Sequence, residues 1–226
     1  MKLNLLTAIL FFISQLTFSQ VDECKCFNGI GSSEDDKPSL TIAFSNKINL
    51  SICGYEEEKI SDSEVIIREF DVFNCKTGES LITFGALQPC NLISKPDTLV
   101  IQHLAPLPSG KKWKWQLTPV TQQMLYPQGD TIMITAPICI YEKTQIDQTS
   151  VDQFFLELEA IKGKGYSKEM ENLIGKLGVL TLNGNIKARN ILNDFISYSG
   201  NGVDGANSEL LNAVTSITNF ECIDTK

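Results

Sequence analysis

Leu40-Thr41-Ile42-Ala43-Phe44-Ser45-Asn46-Lys47-Ile48-Asn49-Leu50-Ser51-Ile52 decides the first half of the chain. Leu40, Ile42 and Phe44 alternate with Thr41 and Ala43, and Ile48, Leu50 and Ile52 alternate with Asn49 and Ser51. A period of two places every second side chain on one face of a strand. Ser45-Asn46-Lys47 supplies the turn, so the stretch predicts a hairpin with one buried and one wetter face.

The same pattern continues outward to Tyr141. Further strands are expected at Glu64–Phe73, Leu81–Phe84, Thr98–Leu104, Lys112–Thr118 and Thr131–Ala136. Lys76-Thr77-Gly78, Pro108-Ser109-Gly110 and Pro127-Gln128-Gly129 punctuate them as turns. Roughly seven short antiparallel strands at this spacing predict a β-sandwich of immunoglobulin-like architecture, without the Cys…Trp…Cys pattern of antibody domains.

After Thr144 the apolar period lengthens to that of a helix. Ser150 and Gln153 form a capping box, followed by the stripe Val151, Phe154, Phe155, Leu158 and Ile161. Gly163-Lys164-Gly165 ends that helix. Ser167 is the expected N-cap of the next, whose stripe is Met170, Leu173, Ile174, Leu177 and Leu180. A third helix is expected from Ile186 to Tyr198 and a fourth from Ala206 to Thr218. A shift of 37 residues lays Leu158 on Phe195, Gly163 on Gly200, Ile174 on Leu211, Leu177 on Val214 and Leu180 on Ile217. The four helices therefore read as one helical hairpin written twice, with a four-helix bundle preferred over packing on the sheet. The fold class is α+β, with a signal peptide over 1–19, a β-sandwich domain over 20–145 and an α-helical domain over 146–226.

The leader sets the compartment. Lys2 precedes an apolar run, Leu5–Ile13, and Thr17 and Ser19 stand at positions -3 and -1 of a cut before Gln20. Ser14, Gln15 and Thr17 break the run short of the roughly 20 residues a bilayer requires. No later segment is long and apolar enough to span. A secreted or periplasmic protein meets an oxidising environment, so Cys24, Cys26, Cys53, Cys75, Cys90, Cys139 and Cys222 are disulfide candidates. Seven is odd, leaving at least one outside an intrachain pair. Cys75 with Cys90 is the favoured local pair, worth about 3 kcal/mol in the chain-entropy model. Cys24 and Cys26 are expected to take different partners, and Cys222 to tie the chain ends together.

The chain has 226 residues, 42% of them hydrophobic, and a formal net charge of -8, which excludes a collagen-like, disordered or miniature disulfide protein. Nucleic-acid affinity rests on Lys and Arg displacing counterions, so an acidic chain is a poor candidate for it. The Gly-x-Gly turns resemble those of the DNA-binding helix–hairpin–helix module. Lys164 and Asn201, however, stand where that module has an apolar residue, and from Gln145 onward there are 7 basic and 11 acidic residues.

Catalytic patterns are sparse. His103, the only histidine, shares a strand face with Leu99 and Ile101 and reads as a core residue. There is no Gly-x-Ser-x-Gly elbow, His-Glu-x-x-His helix, phosphate loop or calcium loop. Glu56-Glu57-Glu58 reads as a solvated loop. No cofactor or metal is called for: Cys24-Lys25-Cys26 lacks the spacing of a structural zinc site. Trp113 and Trp115 share a face with Leu117 and are the candidate ligand-binding residues, able to stack on a sugar or anchor a partner when exposed and simply core when buried. Asn49-Leu50-Ser51 fits the N-glycosylation triplet. Asp97-Thr98-Leu99 and Asp130-Thr131-Ile132 fit a triplet that some periplasmic systems O-glycosylate. The leading expectation is an exported non-enzymatic module binding a protein or glycan. An exported hydrolase with a carboxylate pair and a periplasmic inhibitor or immunity protein are the alternatives.

Overall fold

A computed structural model describes residues 24–27, 37–85, 89–110, 113–165, 169–200, 203 and 205–219. Residues 1–19, read above as a leader, and Cys222 lie outside them. Among the described residues nine strands precede five helices. The strands are β1 (Leu40–Ala43), β2 (Asn49–Ser61), β3 (Glu64–Asn74), β4 (Ser80–Phe84), β5 (Cys90–Lys95), β6 (Thr98–Ser109), β7 (Lys114–Gln128), β8 (Thr131–Ile134) and β9 (Ile138–Cys139). All are antiparallel in one hydrogen-bonded sheet, in the order β1-β2-β3-β5-β6-β7-β8, with β4 beside β3 and β9 beside β7.

The 40–52 hairpin forms as its alternation requires, with Leu40 opposite Ile52 and Ile42 opposite Leu50. Their side chains join one core with Val65, Ile67, Phe70 and Val72 of β3, Leu92 of β5, Leu99 and Ile101 of β6 and Leu125 of β7. Strands from both ends of the sheet share that core, so the sheet curls over it. Its margins meet at one end, where the β1–β2 turn bonds to the β5–β6 and β7–β8 turns. Ser45 N donates to Asp97 Oδ1 (2.6 Å), and Asn46 Nδ2 to the Gly129 carbonyl (2.9 Å).

Three strand readings change. β2 runs on through Glu56-Glu57-Glu58, which are exposed strand residues paired with β3 rather than a loop. β5 and β9 join the expected strands; β5 is a polar-looking stretch paired on both edges. The supposedly wet face of β2 is dry at Ser51, which is fully buried and donates to the Lys25 carbonyl at 2.9 Å. The 24–27 segment crosses there, held by Cys24–Cys75 and Cys26–Cys53 (Cα–Cα 4.9 and 5.6 Å) and by the Phe27 ring edge-on to Phe73.

Cys24 and Cys26 thus take different partners, but Cys75 pairs with Cys24 and not with Cys90. The β3–β5 register sets Cys90 opposite Ile67. At about 3.3 Å per strand residue, that lies some 26 Å from Cys75, far beyond disulfide reach. Cys90 remains a thiol, and Cys139 is disulfide-bonded. Two disulfides joining distant parts of the chain are the mark of an oxidising extracellular or periplasmic compartment. Among the described residues no helix is long and apolar enough to cross a membrane.

The helices are α1 (Gln148–Ile161), α2 (Met170–Leu182), α3 (Ile186–Asn193), α4 (Phe195–Ser199) and α5 (Gly205–Asn219). The α1 cap is Asp147 rather than the Ser150 box: its carboxylate accepts from both Ser150 N (2.9 Å) and Ser150 Oγ (2.7 Å). The expected third helix is broken at Asp194 into α3 and α4, and Ser167 lies outside the described residues. α2 is the hub, with ten of its thirteen residues buried. Its surroundings include Phe154, Leu158, Leu192, Phe195, Leu211, Val214 and Ile217 from the other helices, and Ala105, Leu107 and Val120 from β6 and β7. The helices therefore cover one another and the sheet together, because the apolar ends of β6 and β7 need covering as much as the helical stripes do. The glycine-bearing turns after α1 and α4 touch: Gly163 N donates to the Tyr198 carbonyl (3.0 Å) and Gly165 N to the Ser199 carbonyl (2.7 Å).

Candidate functional site

The tryptophans sit at the sheet–helix junction. β7 begins at Lys114, so Trp113 belongs to the preceding turn, at φ 51°, with its amide donating to the Gly110 carbonyl. It therefore does not share a strand face with Trp115, and Leu117 is exposed. Both indoles are half-buried. Phe154 lies 6.3 Å from the Trp113 ring, and the Lys176 ammonium stands over that ring at 5.4 Å while pairing with Glu157 at 3.6 Å. Lys176 thus stands over one face of that indole. The Trp115 ring lies on α2 at Gly175, beside Pro108.

A cleft of about 540 Å³ opens nearby, between the β6–β7 pair, the connection leading to α1, and α2. Antiparallel pairing sets Gln102 of β6 opposite Gln122 of β7, and their side chains bond to each other, Gln102 Nε2 donating to Gln122 Oε1 at 3.3 Å. A register shift after His103 then turns the outer halves of both strands, bringing Leu107, Pro108, Ser109, Gln116, Thr118 and Pro119 into the walls. The remaining wall is Ile140, Tyr141, Glu142 and Thr144, with Val179 from α2.

That last wall is fastened at both ends. Ile140 N donates to the Val120 carbonyl (2.9 Å). Asn183, which caps α2, donates from Nδ2 to the Thr144 carbonyl (2.9 Å) and accepts from Thr144 N (3.2 Å). The Tyr141 and Thr144 hydroxyls bond at 2.7 Å. Burial raises the Tyr141 phenol above its usual range, against a smaller lowering by the Thr144 contacts, so it is neutral at physiological pH. Among the described residues lining the cleft, Glu142 is the one charged side chain. The lining offers amides, hydroxyls and apolar surface, suited to holding an uncharged polar molecule.

His103 and Cys90 face one another across β5 and β6, with Sγ and Nδ1 at 3.8 Å. This is the geometry of a thiol beside a base, but the electrostatics oppose nucleophilic chemistry. Burial pushes the Cys90 thiol up to about 12 and lowers the His103 imidazole below its ordinary 6.5. A catalytic cysteine needs the reverse, a thiolate stabilised by a nearby cation. Phe84 packs on His103 at 5.7 Å between ring centroids, and Nε2 is buried with no hydrogen-bond partner among the described residues. His103 is thus a half-buried residue held between Cys90 and Phe84. Among the described residues no three His, Cys, Asp or Glu side chains converge on a metal position. Thr98 and Thr131 follow the hairpin turns at the end where the sheet margins meet. Thr131 is exposed, its hydroxyl donating to the Gln128 carbonyl at 2.9 Å, and Thr98 is half-buried.

Reading the sequence alone missed the cleft. Gln102, Gln116 and Gln122 look like solvated residues of two-faced strands, and no local motif marks their convergence. The Cys90–His103 pairing does have a local signal, since Lys95-Pro96-Asp97-Thr98 is a two-residue hairpin turn about which positions 90 and 103 are symmetric. No protein-family model matches the chain, and neither a curated protein nor a solved structure matches it.

Proposed function

We propose that the protein is an exported, non-enzymatic binding module that holds an uncharged polar ligand in the cleft between β6–β7 and α2. One observation carries this reading: a cleft of about 540 Å³ whose far wall is pinned by hydrogen bonds and whose described lining carries one charged side chain, Glu142. Small-molecule sites typically occupy about 300–1,000 Å³ with few, well-placed polar groups. A wall already ordered loses little further freedom on binding. Export rests on Met1–Ser19 read as a cleaved leader, and the two disulfides support it. The acidic net charge argues against a nucleic-acid partner. In this reading the tryptophans join sheet to helices rather than touch the ligand.

Two architectural readings belong with this proposal. The curled sheet is taken as a sandwich-like enclosure of one core, and the helices as a duplicated hairpin. The duplication is supported by the 37-residue match, the positive φ of both Gly163 (69°) and Gly200 (83°), and the shared burial of Leu158 with Phe195 and Ile174 with Leu211.

The test is ligand-observed NMR on the protein lacking residues 1–19, disulfides intact, against oligosaccharide and peptide libraries, with mass spectrometry of the same mixtures. The expected outcome is a ligand that binds and is recovered unchanged. Turnover of any library member, abolished by Glu142→Gln, would establish a hydrolase and overturn the binding-module reading.

A further inference from the structure

We infer that the cleft is a site for a neutral saccharide, read by the Gln102–Gln122 amide pair. This rests on the binding-module reading above and narrows its ligand. Because Gln102 Nε2 donates to Gln122 Oε1, both amides are held with a defined sense. Gln102 Oε1 is left as an acceptor and Gln122 Nε2 as a donor, side by side on adjacent strands. A pair of neighbouring hydroxyls offers the complement, one donating while the other accepts.

The surroundings match the rest of a sugar. Ser109 adds a hydroxyl that serves as donor or acceptor, and Thr118, whose hydroxyl donates to the Gln116 carbonyl at 3.4 Å, adds an acceptor, while Leu107, Pro108, Pro119 and Ile140 give apolar wall for the C–H face of a ring. Acidic sugars fit poorly. Tyr141 is held neutral, no lysine or arginine stands among the described lining residues to pair with an acidic sugar, and burying an unpaired charge is costly. A peptide is also disfavoured at the floor, because the backbones of Gln102 and Gln122 face each other within the β6–β7 ladder, leaving recognition there to side chains.

The experiment is isothermal titration calorimetry of the disulfide-intact protein with neutral gluco-, manno- and xylo-oligosaccharides, with oligogalacturonate as the anionic comparison and a mixed peptide library as the third arm. The expected result is measurable affinity for at least one neutral series and none for oligogalacturonate. Gln122→Glu, close to isosteric, should weaken that affinity by about tenfold or more, the order of one misplaced hydrogen bond. Circular dichroism checks the variant's fold. Should it be disturbed, Gln116→Ala at the exposed rim replaces it, with a weakening of about threefold expected. Neutral sugars that fail to bind, or that bind equally well to the variants, overturn the saccharide assignment. Peptide binding sensitive to Gln122→Glu, with no sugar binding, overturns it while leaving the binding-module reading standing. No binding in any arm overturns both.

Discussion

Gly175→Ala tests the junction between sheet and helices. Gly175 lies inside α2, where replacing glycine with alanine ordinarily gains about 0.8–1.0 kcal/mol of helix propensity. Here a Cβ would meet Pro108 Cδ at 2.9 Å and Trp115 Cζ2 at 3.0 Å, with Trp115 Cη2 closer still. The indole and the pyrrolidine are both rigid, and one turn further along the same face of α2 Gly178 is packed against Val214 and Leu107. Overpacking costs about 1–3 kcal/mol, and rigid contacts this short belong to the upper part of that range, about 2–3 kcal/mol, so the cost outweighs the propensity gain. The net expectation is a loss of about 1–2 kcal/mol, a fall in Tm of roughly 2–8 °C for a chain of this size. Guanidinium denaturation of the wild type and the variant measures it. In a Trp115→Leu background, where the ring is absent, the same change should be neutral or stabilising, and the difference between backgrounds gives the coupling. An increase in stability on Gly175→Ala in the wild-type background would refute the placement of Trp115 against α2.

Four further outcomes follow from the cysteines and the histidine. Cys90 should resist Ellman's reagent in the folded protein at pH 8 and react once guanidinium unfolds the chain; fast reaction in the native state would contradict its burial. With its pKa near 12 in the fold against an ordinary 9.0, its contribution to stability is intact below pH 9 and is lost as pH rises from 9 toward 12, where the unfolded chain ionises first. His103 acts at the other end of the scale: its lowered pKa means the unfolded chain takes up the proton first, so stability is complete above about 6.5 and falls as pH drops below it. His103→Gln should flatten that acid limb in pH-dependent melts. Replacing both Cys24 and Cys75 with alanine opens a disulfide spanning 51 residues and should cost about 4 kcal/mol in the chain-entropy model, measurable as a lowered denaturation midpoint.

Local chemistry made the hairpin at 40–52 and the helical stripes legible, because alternation and 3.6-residue spacing are imposed residue by residue. Leu40, Leu50, Phe154 and Ile174 are all buried as their patterns require. β5 escaped notice because Asn91 and Ser94 dilute its alternation and its partners lie at both its edges, a tertiary circumstance. The acidic run in β2 escaped because exposed strand positions carry no apolar signal; pairing with β3 makes it a strand. Asp147 outcompeted Ser150 as a cap because its carboxylate reaches both the amide and the hydroxyl of that serine. The cleft was the least legible part. Its amides come from two strands and its far wall from a connection pinned by Asn183, and convergence of that kind has no spacing in the linear chain.

The core that α2 shares with Ala105, Leu107 and Val120 bears on how the polypeptide responds to cutting. A protease that nicks the exposed Glu142–Lys143 bond would sever the strand portion from the helical portion without freeing either. Each fragment would keep an oily surface matched only by the other. The cut protein should migrate intact in gel filtration and separate only in denaturant. Two pieces expressed apart should likewise find each other and reassemble, so natural truncation or module exchange at this connection would yield halves that depend on reunion.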